Sequence, residues 1–237
     1  MNGIIAKPIG LLLQFIYDQV GIYGIAIIIL TIIVKGCLYP LYAMQTKSTI
    51  GMTEIQPQVQ AIQRKYQNDP DTMNMKVQEL YKEEGVHPAA GCLPILIQMP
   101  IIWGLFRLLR NPLQFMGTDD SVIFAVHEAF WWMPDLTQPD KWILPIAAGI
   151  ATYFSFAMSQ KLNAAPDATG GTAASTNSMM KVMKYIFPVM IIWMARTYPS
   201  GLAIYWFVSQ VIQILINVRL SFVRKKLRAE RAAKRSM

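Results

Sequence analysis

Apolar residues run almost unbroken through five stretches of this chain: Ile22–Met44, Cys92–Leu109, Trp142–Met158, Val182–Ala195 and Leu202–Val218. Most approach the ~20 residues that a helix needs to cross a bilayer. The fourth is the shortest. The pattern predicts an all-α polytopic membrane protein with five transmembrane helices. Ahead of the first run, Ile9, Leu12, Leu13, Ile16 and Val20 fall on one helical face, with Lys7, Gln14 and Asp18 opposite. That layout is not a cleavable signal peptide; it predicts an N-terminal helix over residues 1–21 lying on the outer interface.

Between the first two spans the period changes. Ile55, Val59, Ile62 and Tyr66 make a stripe at i, i+4, i+7, i+11. Met73, Val77, Leu80 and Tyr81 make a second one after the turn Asn68-Asp69-Pro70-Asp71. Asp69 can cap the second helix with Pro70 in its first turn, and Gly85 can end it. The chain therefore divides into an interfacial helix (1–21), a first span (22–44), a cytoplasmic helical hairpin (45–90), spans two to five (91–220) and a basic tail (221–237). Asn163–Ser178, rich in Ala, Gly, Ser, Thr and Asn, reads as a flexible loop.

Composition agrees. Of 237 residues, 54% are hydrophobic and 15% charged, with a mean hydropathy of +0.32. Nothing remains for a sizeable separate soluble core. Cys37 and Cys92 sit in or beside apolar runs and make no disulfide framework or metal site. His87 and His127 lie in different loops without a partner cluster. No Gly-rich phosphate cradle occurs, and no cofactor is expected.

Charge orients the spans. The loop after the first holds Lys47, Arg64, Lys65, Lys76 and Lys82, and the loop after the third holds Lys161, Lys181 and Lys184. The tail holds Arg219, Arg224, Lys225, Lys226, Arg228, Arg231, Lys234 and Arg235. The other side carries fewer cations and the acidic loop Asn111–Asp140. Lys and Arg mark the cytoplasmic side, so the N-terminus is expected outside and the C-terminus in the cytoplasm. The tail fits two roles: anchoring on anionic lipid, slightly favoured, and binding ribosomal RNA through phosphates.

Polar residues gather at one depth. Lys35 lies well inside the first span, and Gln98 near the inner end of the second. Thr152, Ser155 and Ser159 line the third; Trp206, Gln210, Gln213 and Asn217 share a face of the last. Singly, such residues glue helices or bond to their own backbone. Together they predict a water-filled recess open to the cytoplasm and closed to the outside. Ten residues of helix put Lys35 ~15 Å from the inner end, beyond the reach of its own stem. No Asp or Glu lies inside a span to pair with it. Hydration in the recess would leave its charge available to an acidic guest.

The combined order of segments resembles the YidC/Oxa/Alb family of membrane protein insertases. The pieces are IIVKGCLYPLYAMQTKS, the charged hairpin, GVHPAAGCLPILIQMPIIWGLFRLL, KWILPIAAGIATYF and YPSGLAIYWFVSQVIQILIN. The resemblance covers nearly the whole chain and is to the compact form of single-membrane bacteria. Many compact members begin as lipoproteins; no cysteine precedes the first span here, which leaves a processed N-terminus ahead of this chain as an expectation. The family is known for a positively charged groove open to cytoplasm and lipid, usually with arginine in the first span. Lys35 stands at that position, keeping the charge but not the bidentate fork.

The resemblance implies an insertase and chaperone of the bacterial cytoplasmic membrane. Its groove residues would be Lys35, Gln98, Thr152, Ser155, Trp206, Gln210, Gln213 and Asn217. The implied partners are nascent membrane proteins, the Sec translocon and the ribosome, with anionic lipids at the tail. The alternative is a small-solute transporter or channel, but the outer halves of the spans offer few polar groups and no half-to-half repeat is visible. An intramembrane enzyme would need paired acids, a His/Glu metal set or a Ser–His pair within the spans, and none is present.

Overall fold

A computed structural model describes residues 5–85, 93–116, 120–163 and 171–235. These residues form helices and connecting turns, with no β-strand among them. The order is α1 (Ala6–Val20), α2 (Tyr23–Lys65), α3 (Pro70–Glu83), α4 (Leu93–Arg110), α5 (Pro112–Phe115), α6 (Asp120–Val126), α7 (Ile143–Asn163), α8 (Gly171–Ala195) and α9 (Ser200–Arg235).

Two of these helices are longer than any membrane requires. α2 has 43 residues, about 65 Å at ~1.5 Å per residue, against a hydrocarbon core of ~30 Å. The expected boundary between first span and hairpin is therefore no break: the apolar half runs straight into the first hairpin arm. Pro40 and Pro57 are carried inside the helix. α9 has 36 residues and likewise carries the last span into the basic tail without interruption. The second hairpin arm, α3, starts as expected. Asp69 Oδ1 accepts from the Thr72 N–H at 3.1 Å, with Pro70 in the first turn. Gly85 ends it at φ 62°, in the region that glycine adopts without a Cβ penalty. Ile50, Ile55 and Val59 are buried on the α2 arm, and Met73, Val77, Leu80 and Tyr81 are half-buried on α3.

Among the described residues, three helices are long and apolar enough to cross a membrane, over Tyr23–Met44, Ile143–Lys161 and Ser200–Val223. The apolar segment Val182–Ala195 is shorter, and α4 has 18 residues with Pro100 inside. The second and fourth predicted spans are thus helical. One expectation is corrected. Of the flexible loop at Asn163–Ser178, residues from Gly171 onward are α-helix; its Ala, Ser and Thr are adequate helix residues when they extend an apolar helix already packed on its neighbour. Residues 164–170 lie outside the described part.

α7 is the hub, packed on both α8 and α9, while α9 also lies along α2. Gly149 allows α8 close, since a Cβ there would run into Ile192. One connection fixes the direction of three helices. The Tyr23 N–H of α2 donates to Glu128 Oε2 at 2.9 Å. The Leu144 N–H of α7 donates to Asp140 Oδ2 at 2.7 Å. At the start of α9, the Ser200 and Gly201 N–H groups donate to the carbonyls of Gln138 and Leu136 at 3.0 and 3.2 Å. The four acceptors come from one segment, 128–140, so α2, α7 and α9 all begin at one end of the molecule. Two are carboxylates at positive helix ends, where the macrodipole favours them. α1 packs on α2, α4 and α5 at this same end. It buries Ala6, Gly10, Leu13 and Ile16 and exposes Leu11 and Phe15 beside Lys7 and Asp18.

Candidate functional site

Lys35 is 4% exposed. Its ammonium donates to Tyr42 Oη at 3.3 Å, Gln98 Oε1 at 3.4 Å and Gln213 Oε1 at 3.2 Å. These acceptors come from α2 itself, α4 and α9. The three N–H donors of a lysine thus meet three oxygens, which is what burial of such a group demands. The network continues outward. Tyr42 Oη donates to Gln98 Oε1 at 3.2 Å, Gln98 Nε2 donates to Tyr205 Oη at 3.2 Å, and Gln213 Nε2 donates to Asn217 Oδ1 at 3.3 Å.

Two features of this cluster matter chemically. It contains no carboxylate, so its one formal charge is solvated by neutral dipoles only. And its contacts to Lys35 are long, since charge-assisted N–H···O bonds run about 2.7–2.9 Å. The amide nitrogen of Asn217 is buried and has no hydrogen-bond partner among the described residues. The cluster thus joins a buried cation, held by three long contacts, to a buried amide donor with no partner among the described residues.

A second polar contact lies between α7 and α9. Trp206 Nε1 donates to Thr152 Oγ1 at 3.1 Å, and Thr152 donates on to the Ala148 carbonyl at 2.6 Å. Ser155 is buried about one turn further along α7. So the eight predicted residues divide. Lys35, Gln98, Gln213 and Asn217 form one network. Thr152 and Trp206 form another contact, with Ser155 beside it. Gln210 is half-buried and stands outside the Lys35 network. The expectation of a hydrated Lys35 needs revision, because side-chain oxygens from three helices occupy the positions assigned to water. Sequence reasoning missed Tyr42 and Tyr205. Tyr42 had a signal, standing seven residues after Lys35 and so on the same helical face. Tyr205 had none, because only the packing of α4 against α9 brings it to Gln98.

Fold and site together define a polytopic helical membrane protein with a cationic polar cluster buried between its spans. The chain belongs to the 60Kd inner membrane protein family, whose model matches residues 15–227. It is 38% identical over 208 residues to a membrane protein insertase YidC of Fusobacterium nucleatum subsp. nucleatum, covering 87% of this chain and 88% of that one. It is 36% identical over 227 residues to the YidC of Caldanaerobacter subterraneus subsp. tengcongensis, covering 95% and 98%. The Wolinella succinogenes YidC matches 96% of this chain at 35% identity, but only 38% of its own length takes part. Among solved structures, an active YidC insertase with its first transmembrane domain resolved superposes with a TM-score of 0.61 at 29% identity. That match covers 90% of this chain and 45% of the other.

Proposed function

We propose that this protein is a membrane protein insertase and chaperone of the bacterial membrane, working without covalent chemistry. The observation that carries the mechanism is Lys35, buried with three neutral acceptors at 3.2–3.4 Å and no counter-ion. A carboxylate on an incoming chain would form a shorter, charge-assisted contact and displace Tyr42, Gln98 and Gln213 from the ammonium. Asn217 would supply a further donor. The polar groups would replace part of the client's hydration while its backbone lacks partners in lipid. The apolar segment would then partition into the bilayer, with the hydrophobic effect driving release.

In this reading α4 and Val182–Ala195 are the second and fourth of five spans. The 128–140 segment lies outside, and the α2–α3 hairpin and the end of α9 lie in the cytoplasm. α1 rests at the outer interface, which suits its exposed Leu11 and Phe15 beside charged residues. The hairpin and the basic end of α9 are the surfaces for the ribosome and anionic lipid, and the Sec translocon is a further partner. The test is reconstitution of the chain alone into liposomes, with photo-crosslinkers at residues 35 and 213 and a stalled nascent membrane protein. Insertion with crosslinks at both positions supports the reading. Solute flux without insertion overturns it.

A further inference from the structure

Trp131 and Trp132 break a local rule. Phe130 and Met133 exchange backbone hydrogen bonds at 2.8 and 3.0 Å, closing a two-residue turn with the two indoles at its corners. Trp131 stands at φ 53°, and among the described residues it is the one non-glycine residue at positive φ. Tight turns favour glycine or asparagine at such a corner, because a Cβ there costs energy. A bulky side chain held in this conformation needs a compensating gain. Packing inside the molecule does not supply it. The Trp131 ring stacks on Phe130, with centroids 5.3 Å apart and planes 12° from parallel, yet the residue is 76% exposed.

Two spans fix the depth of this turn. Phe130 lies on Gly24, the second residue of α2, where a Cβ would run into its ring. Trp132 Nε1 donates to Asp140 Oδ2 at 3.0 Å, the same oxygen that accepts the Leu144 N–H in the first turn of α7. The apolar spans begin at Tyr23 and Ile143, so both contacts hold the turn at the level where the chain enters hydrocarbon. Trp142 is exposed at that level too, with the Arg196 guanidinium 4.1 Å from its ring centroid. Indoles collect at this boundary because the ring is apolar and its N–H is polar. Trp132 shows that division: its N–H is taken by Asp140 while much of its ring stays exposed.

We propose that the Phe130–Met133 turn is a lipid anchor, with Trp131 and Trp132 seated in the headgroup–acyl boundary of the leaflet at the end where α2, α7 and α9 begin. The ring faces meet the upper acyl chains, and the Trp131 N–H donates to headgroup oxygens. Lipid is the favoured occupant because the turn stands at the boundary level of two spans, and its exposed tip offers apolar rings with a polar N–H and no charge. The segment that carries the turn also accepts from the first N–H groups of α2, α7 and α9. The anchor therefore sets the depth of all three helices, and through α2 that of Lys35. The inference needs only that these helices cross a membrane and is independent of the insertase reading.

The test is tryptophan fluorescence of the full chain in phosphatidylcholine liposomes, comparing the parent with Trp131→Phe. Three quenchers are used: lipid brominated high on the acyl chain, lipid brominated near the chain end, and iodide in the water on both sides of the membrane. The chain has six tryptophans, so the emission lost with Trp131→Phe is the signal of Trp131. That signal should be quenched most by the shallow bromines, less by the deep ones and least by iodide. Strongest quenching by iodide overturns the anchor and makes the turn a water-facing surface, open to a protein partner. Strongest quenching by the deep bromines, or none by any of the three, also overturns it. Should Trp131→Phe fail to fold, Trp131→Gly, which suits a positive φ without a Cβ penalty, takes its place with the same outcomes.

Discussion

Replacing Lys35 by Met keeps most of the side chain's volume and removes its charge, which isolates the electrostatic contribution. At an effective dielectric of about 20, a carboxylate ~4 Å from the ammonium gains about 4 kcal/mol. To receive it, Lys35 gives up contacts to Tyr42, Gln98 and Gln213. These are long and are each assigned about 1 kcal/mol. The surplus is about 1 kcal/mol, or roughly a fivefold difference. Lys35→Met is therefore expected to slow insertion of clients with acidic translocated segments about fivefold, and clients with neutral segments much less. Lys35→Arg should keep activity, and Lys35→Glu should be worse than Met for acidic clients. The fold should tolerate the change, because Tyr42, Gln98 and Tyr205 remain bonded to one another. The assay is protease protection of paired acidic and neutral clients in proteoliposomes, with Tm measured on the same preparations. If Lys35→Met lowers Tm and harms both clients alike, Lys35 is a structural tie and the reasoning fails. Normal insertion of the acidic client by a stable Lys35→Met refutes it more directly.

Thr152→Val leaves the Trp206 indole N–H buried without its acceptor and should lower stability by about 1–3 kcal/mol; a thermal shift in detergent checks this. Gly10→Ala puts a Cβ into the Phe115 carbonyl, at a cost of about 1–3 kcal/mol, and should loosen α1, seen as faster hydrogen exchange there. Ile55→Ser/Ile62→Ser/Val77→Ser should open the hairpin and reduce insertion with the spans intact; limited proteolysis beside the insertion assay decides, and normal insertion makes the hairpin a mere connector. Burial pushes the Asp140 carboxyl up, but the Leu144 N–H, the Trp132 indole and further backbone N–H groups outweigh it and hold it below its ordinary value. Its contribution is therefore present above the ordinary carboxylate value and lost as pH falls through the lowered one. Acid denaturation scans should show Asp140→Asn with less loss of stability than the parent in that window.

The existence and type of the long helices were legible in the chain, because an apolar run or an i, i+4, i+7 stripe depends only on local order; the short α5 and α6, inside the expected loop Asn111–Asp140, were not. The Asp69 cap and the Gly85 stop were legible for the same reason: each needs a residue type at a fixed offset from its own helix. Helix ends were less so. Nothing in the composition at Met44 or Arg219 stops a helix, and α2 and α9 run on well beyond the membrane. The small polar residues from Gly171 onward suggested a loop, yet they continue a helix that α7 already supports. Lys35 announced itself by the cost of a charge among isoleucines. What surrounds it was decided only by tertiary structure. Tyr42, Gln98 and Gln213 converge because α2 lies along α9 and α4 closes the third side, an arrangement no local period encodes. The same holds for the 128–140 segment, which caps α2, α7 and α9 together. Periodicity reports which face of a helix avoids water. Which partner covers that face is a pairing between distant segments, and it is set by shape and by hydrogen bonds that exist only once the helices have met.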